Sequence, residues 1–318
     1  QWTGAPKGGR GYLCNPPIYV NNEPDFPLTA FSVLSPKPGD IEPDVDISGL
    51  RADHWNVNGH NVQPGLNLKM NWIRVSAMRG FQNGWSAGIS VPWYRNKIQG
   101  SIGGFPASGV AEGLGNIALI GKKILWQDCK TGRQLGAAFG IELPTGPNSE
   151  TFGQQNIVTG GYFHTGNRIP LGWQPSTGTV NGLISVDYSR TMGRLSWQLL
   201  GAAKFNGTDD EDVKIGNVFL GEINGTYGIS RALAGSLGFT FRSQADDDYP
   251  DSPLPVNGPL LEGTTNHSLI VYLDAALRYS IMNKVTIGVG IRTPINTPDA
   301  GMDPTGEVSI IFYPNVTE

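Results

Sequence analysis

Charge is scarce in this chain. Only 16% of its 318 residues are Asp, Glu, Lys or Arg, the net charge is −4, and no Lys/Arg-rich run occurs. The electrostatic footprint that nucleic-acid binding needs is therefore missing. Long apolar runs are missing as well: no stretch approaches 18 consecutive apolar residues, so no transmembrane helix is encoded. Strong helix formers give way to Gly, at 44 residues about twice ordinary usage, and to 23 Pro with many Asn, Ser and Thr, which argues against a mostly helical fold. Chemistry-bearing motifs are equally thin. There is no CxxC, no P-loop and no nucleotide-binding glycine fingerprint, and His54, His60, His164 and His267 are too scattered for a close-spaced zinc motif. Hydrophobic residues nevertheless reach 39%, too many for a disordered chain.

What is present is alternation. Trp85, Ala87, Ile89, Val91 and Trp93 share one face of an extended segment, and Ser86, Gly88, Ser90 and Pro92 share the other. The same period of two recurs in Gln134 to Leu143, Leu195 to Phe205, Leu233 to Phe241, His267 to Tyr279, Val285 to Thr293 and around Val308, Ile310 and Phe312. Weaker versions run through Leu66 to Met78, Gly115 to Trp126, Asn181 to Ser189 and Gly216 to Tyr227. The second face is mostly Gly, Ser, Thr and Ala, where a soluble sandwich would place Lys and Glu. A mean hydropathy of −0.20 is no objection, because a membrane barrel alternates lipid-facing and lumen-facing residues. The chain also begins at Gln1, as expected of an exported protein after trimming.

Connection lengths test this reading independently. Short connections (Arg79 to Gly84, Gln127 to Arg133, Arg190 to Arg194, Gly228 to Ala232, Ser280 to Asn283) alternate with long ones (Tyr94 to Leu114, Pro144 to Val180, Asn206 to Lys214, Arg242 to Asn266, Pro294 to Thr305). Outer-membrane barrels have this asymmetry, with short periplasmic turns and long outer loops. An even strand number requires one more strand before Leu66, within Ile47 to Val57. The expected fold is an all-β, transmembrane, antiparallel up-and-down barrel of about twelve strands spanning 61–318. Residues 1–60 form a Pro/Gly-rich extension without a period, read either as a plug in the lumen or as a periplasmic segment on the rim. Cys14 and Cys129 fit one disulfide in an oxidising compartment or two unrelated buried thiols, and the topology puts both on the periplasmic side.

Short motifs add a resemblance. Gly113-Leu114-Gly115-Asn116-Ile117 followed by Lys122-Lys123, then Ile141-Glu142-Leu143-Pro144-Thr145-Gly146, resembles the outer-membrane barrels of the meta-pathway phenol-degradation (transporter) family, with its GLGD-type strand start and LPTG-type strand end. Val91-Pro92-Trp93, Tyr227-Gly228-Ile229-Ser230 and Tyr279-Ser280-Ile281-Met282-Asn283 resemble further family turns and strand ends, over roughly Leu66 to Tyr313. Departures are Asn116 in place of the usual acid, the long Pro144 to Val180 loop, and Pro314 to Glu318 after the terminal aromatic. The resemblance implies a bacterial outer-membrane barrel that passes small, often hydrophobic or aromatic compounds, and implies no catalytic residues.

Strict alternation directs Glu142, Asp187, Lys204, Glu222, Asp274, Arg278 and Arg292 into the lumen, either as an electrostatic filter or as a network that packs a narrow barrel. Trp85, Trp93, Trp197, Phe241, Tyr279 and Phe312 are the expected aromatic girdle. Asp209, Asp210, Glu211 and Asp212 form an acidic loop, read as solvated or as a Ca²⁺ ligand set, and no other cofactor is expected. An enzyme is not expected: Ser268 beside His267 lacks the elbow motif of a lipase-like site. The functional expectation is a porin-like channel for small solutes, and its rival is a non-conducting scaffold. Outer-membrane lipid, a small-molecule solute and a protein partner bound by the long loops or the N-terminal extension are the expected partners, and nucleic acid is not one.

Overall fold

The computed structural model describes residues 36, 38–57, 60–62, 67–102, 105–152, 169, 171–210, 212–230, 232–245, 268–281, 285–296 and 301–314. Its strands are β1 (Ile41–Val57), β2 (His60–Val62), β3 (Asn67–Gly80), β4 (Trp85–Ile102), β5 (Phe105–Leu114), β6 (Ile117–Asp128), β7 (Arg133–Leu143), β8 (Asn181–Met192), β9 (Leu195–Phe205), β10 (Val218–Gly228), β11 (Leu233–Gln244), β12 (Ser268–Ile281), β13 (Val285–Pro294) and β14 (Gly301–Pro314). Neighbours pair antiparallel in the order β14 back to β6, then β4, β3 and β1. Strand β1 then pairs with β14, Val45 opposite Phe312 and Asn56 opposite Gly301, so the sheet closes into a ring.

Twelve of these strands make the ring. Strand β2 is a short return on the end of β1, and β5 pairs with the outer half of β4 alone. β5 and β6 run one after the other along the same edge of β4: Leu114 lies opposite Trp93, Gly115 N–H donates to the Pro92 carbonyl at 2.8 Å, and Ala118 lies opposite Ser90. The expected loop Tyr94 to Leu114 is therefore a hairpin. Tyr94, Asn96 and Ile98 stay buried while Trp93, Arg95 and Lys97 stay exposed, so the alternation continues past Trp93. Only the chemistry of the outer face changes there, from apolar to cationic, and that change reads in sequence as the end of a strand.

Burial is inverted relative to a water-soluble protein. Phe139, Ile184, Val186, Leu277 and Ile291 are all more than half exposed, whereas Asp46, Arg74, Lys122, Asp187 and Asp274 are at most 2% exposed. An exposed apolar belt with buried charge is stable only where the surrounding solvent is hydrocarbon and every backbone group is paired within the barrel.

The barrel starts at Ile41, ahead of the boundary expected at 60/61. The acids that hid this strand are its inner face: Asp44, Asp46 and Ser48 are buried, and Ile47 between them is exposed. Upstream, Gly39 N–H donates to the Gly80 carbonyl, which brings residues 38–40 in on the short-turn side. The end of β14 lies on that side too, with Pro314 opposite Val285. The tightest turn is Gly193-Arg194 between β8 and β9, where Gly193 at φ 61° occupies the first central position, which suits a two-residue hairpin.

The barrel lumen as candidate functional site

Alternation decides which side chains line the lumen, and register decides which of them meet. Glu142 at the outer end of β7 lies opposite Asn181 on β8, and Lys204 on β9 is one strand further on. Lys204 Nζ reaches Glu142 Oε2 at 2.9 Å, and Asn181 Nδ2 donates to the same oxygen at 2.9 Å. Deeper in the barrel, Lys122 on β6 is 3.5 Å from Asp187 on β8. Gly136 makes that diagonal possible, because a Cβ there would stand 2.7 Å from Asp187 Oδ1.

A third pair lies on the far wall. Asp274 takes a hydrogen bond from Arg292 Nε at 2.7 Å and another from the Thr240 hydroxyl at 2.6 Å. Arg292 Nη2 also donates to Thr240 Oγ1 at 3.2 Å, and the guanidinium lies over the Tyr272 ring, 5.2 Å from its centroid. Arg278 is buried four residues beyond Asp274 along β12, and Glu222 faces inward half-buried. A fourth pair joins Arg74 to Asp46 at 3.2 Å, with the Ser48 hydroxyl donating to Asp46 at 2.7 Å. Sequence reading missed Asp46, Arg74 and Lys122, because β1 was expected only from Ile47 on and β3 and β6 were only weakly patterned. The signal was the same alternation, carried by charges.

Between the Glu142–Lys204 and Lys122–Asp187 pairs the wall is mostly apolar, with Ser185 as its buried polar group. Met78, Ala118, Ile120, Ala138 and Leu183 pack as one cluster, and Leu200, Ala202, Val218 and Leu220 as another. The first lies on β3, β6, β7 and β8 and the second on β9 and β10; where they meet, Lys204 is opposite Leu183, Ser185 opposite Ala202 and Asp187 opposite Leu200. These two patches form a greasy arc on the β3 to β10 side of the lumen, interrupted by the Lys122–Asp187 and Glu142–Lys204 pairs, while the Arg74–Asp46 and Arg292–Asp274 pairs lie on β3, β1, β13 and β12.

The outer mouth is bound to this wall by the two motifs noted above. Thr145 Oγ1 donates to the Gly115 carbonyl at 2.8 Å and accepts from Ile117 N–H at 3.1 Å, so it spans the break between β5 and β6. Asn116, where the family has an acid, donates to Thr177 Oγ1 at 2.8 Å and accepts from the Ser176 hydroxyl at 2.6 Å. Asn96 Nδ2 holds the Trp173 carbonyl at 2.8 Å. The described parts of the 144–180 loop are therefore seated on the barrel, with Phe152, Ile169, Leu171 and Trp173 buried.

Aromatic rings mark both rims of the belt. Trp85, Tyr279 and Trp197 lie toward the short turns, Trp197 half-buried against Tyr188 at 5.2 Å, and Trp93 and Phe241 lie toward the long loops. The side chain of Phe312 is outside the described residues. In the acidic loop, Asp209 is buried and its carboxylate accepts from Val213 N–H at 2.9 Å; Asp210 is exposed, Asp212 has φ 60°, and Glu211 is outside the described residues. Among the described residues no three His, Cys, Asp or Glu side chains come together to suit a metal ion. Cys129 lies in the β6–β7 turn beside Asp128, whose carboxyl is held below its usual range by the Thr131 hydroxyl and the Lys130 amide. Cys14, Ser268's neighbour His267, and Asp246 to Asp248 lie outside the described residues.

The same architecture is found in solved structures. The outer-membrane channel of Pseudomonas putida F1 called COG4313 matches with a TM-score of 0.65 at 11% identity, covering 87% of this chain and 95% of that one. The monoaromatic hydrocarbon channel TodX, as its deltaS2S3 mutant, matches with a TM-score of 0.49 at 9% identity over 87% and 91%. A Pseudomonas aeruginosa FadL homologue gives 0.42 at 10% over 91% and 92%. No curated protein matches the chain. An inside-out closed barrel, an outer-membrane channel as structural counterpart and a family match over residues 56–300 agree: this chain is a bacterial outer-membrane β-barrel belonging to the family described as "Putative MetA-pathway of phenol degradation".

Proposed function

We propose that the barrel is a channel for small, predominantly apolar solutes, monoaromatic compounds among them, which travel along the greasy arc of the lumen wall. The observation that carries this reading is the arc itself. A channel for sugars or ions gains nothing from Met78, Ile120, Leu183, Leu200 and Leu220 in its lumen, whereas each apolar contact favours entry of a solute poorly solvated by water. The lumen charges support it from the other side. Glu142, Asp187 and Asp274 each have a cationic partner, so they tie strands together and leave little field against a neutral solute. The likeness of the fold to an outer-membrane channel is consistent with a channel role, and the family's description, which refers to phenol degradation, with aromatic solutes.

The test is uptake by intact bacteria of a labelled monoaromatic hydrocarbon and of a sugar of similar size, with and without the barrel in the outer membrane. Faster uptake of the hydrocarbon alone is expected. Equal uptake in both strains, with the barrel folded in the membrane, would replace the channel with a scaffold. Ion conductance of the complete chain, compared with a chain lacking residues 1–35, separates plug from periplasmic segment. The cut belongs before residue 36 because β1 begins at Ile41.

The oxidising periplasm and the approach of the N-terminal chain on the short-turn side, where Cys129 sits, support a Cys14–Cys129 disulfide that staples the extension to the rim. Non-reducing electrophoresis after thiol alkylation should show one modified cysteine pair only after reduction. Two alkylated thiols before reduction would refute the staple.

A further inference from the structure

We propose that the outer surface of β1, β3 and β4, just above the apolar belt, binds the phosphate groups of the glycolipid that forms the outer leaflet of an outer membrane. Register alone builds the site. On the lipid-facing side, Ile47, Ile73 and Trp93 lie side by side on the three strands, all more than 40% exposed. Two residues further toward the long loops come Gly49, Asn71 and Arg95, and two further again Arg51, Lys69 and Lys97. That last row holds three exposed cations on three adjacent strands.

Neighbouring strands are about 4.8 Å apart, and like charges directly opposite one another destabilise a sheet. Some of this charge is answered within the protein. Arg95 Nε pairs with Glu112 at 3.3 Å, and Arg51 Nη2 donates to Asn67 at 3.4 Å. Lys69 and Lys97, directly opposite each other, form no ion pair among the described residues, and the residue opposite Lys97 on β5 is Val110. The repulsion is relieved by an anion from outside the chain.

Height identifies that anion. Four residues from Trp93 to Lys97, at about 3.3 Å each and tilted about 40°, rise roughly 10 Å above the aromatic rim, and lysine stems reach several Å back down. The ammonium groups therefore stand at the level of lipid headgroups. This is the long-loop end of the barrel, the outer side, where the headgroups are phosphorylated glucosamines. Among the described residues the other rim has no row of three cations: Arg133 and Arg190 lie opposite each other on β7 and β8, but Asp128 stands opposite Arg133 on β6, and Lys123 is spent over the Trp85 ring, 5.0 Å from its centroid, and on the Asn83 carbonyl.

The experiment uses the complete chain, folded in uncharged detergent, with binding of bisphosphorylated lipid A and of the same lipid stripped of phosphate measured by native mass spectrometry. The parent is expected to prefer the phosphorylated lipid. In a Lys69→Gln/Lys97→Gln variant affinity for it falls about tenfold or more, the loss of one to two charge-assisted contacts, while a Lys123→Gln control keeps parental affinity. Equal binding of the two lipids by the parent, or an equal loss in the Lys123→Gln control, overturns the proposal. The first comparison needs no variant, and neither depends on what the lumen conducts.

Discussion

Replacing Asp274 with alanine is expected to cost about 3–5 kcal/mol of barrel stability, the penalty of stranding a buried charge. Asp274 and Arg292 side chains are only 2% and 6% exposed, so the guanidinium left behind has lost its carboxylate at 2.7 Å and has little water to replace it. Thr240 loses its acceptor at 2.6 Å in the same step. The loss is not the intrinsic worth of the pair, which desolvation largely offsets. An Asp274→Ala/Arg292→Leu double variant, with no charge left to strand, should therefore recover a good part of the stability. Denaturant unfolding in detergent, followed by tryptophan fluorescence, measures both. A double variant no more stable than the single one would show that the cost comes from packing and not from the orphaned arginine.

An Ile120→Asn/Leu183→Asn variant should lower uptake of a monoaromatic hydrocarbon by ten- to a hundredfold, and leave passage of a small hydrophilic solute unchanged or faster. Burying an aliphatic side chain of this size against an apolar partner is worth about 1.5–3 kcal/mol, and each 1.4 kcal/mol is a tenfold change in occupancy. Asparagine is chosen because it removes greasy surface without adding charge. An aspartate at 183 would sit opposite Lys204 and make a new ion pair. Ile120 and Leu183 belong to the same cluster, at 3% and 1% exposure, so the pair tests the apolar patch on β6 to β8. Equal loss for hydrophobic and hydrophilic solutes would mean that the substitutions narrowed the barrel and that the arc is no track.

Much of the fold was legible because a membrane barrel writes itself locally. Period-two alternation in Trp85 to Trp93 or Leu195 to Phe205 needs no long-range information, since each outward residue answers to lipid alone. The alternation of short and long connections supplied the side of the membrane. Reading failed where the outer face stopped being apolar. In β1 the polar inner face (Asp44, Asp46, Ser48) drew more notice than Val45 and Ile47 between them, and in the outer half of β4 cations replaced aliphatics beyond the lipid.

By itself, then, the sequence determined the class of protein, the strand periodicity, the sidedness and the inward direction of Glu142, Asp187, Lys204, Asp274 and Arg292. Only the tertiary structure decided what those residues meet. Period two tells which way a side chain points, but which partner lies beside it depends on the register of a strand far along the chain, and a slip of one residue turns every side chain to the other face. Glu142 reaches Lys204 across β8, and Arg74 meets Asp46 because the register of β1 on β3 sets the two directly opposite. The greasy arc and the row of cations above the lipid are properties of register in the same way: each is assembled from single residues on neighbouring strands, and none of those strands carries it alone.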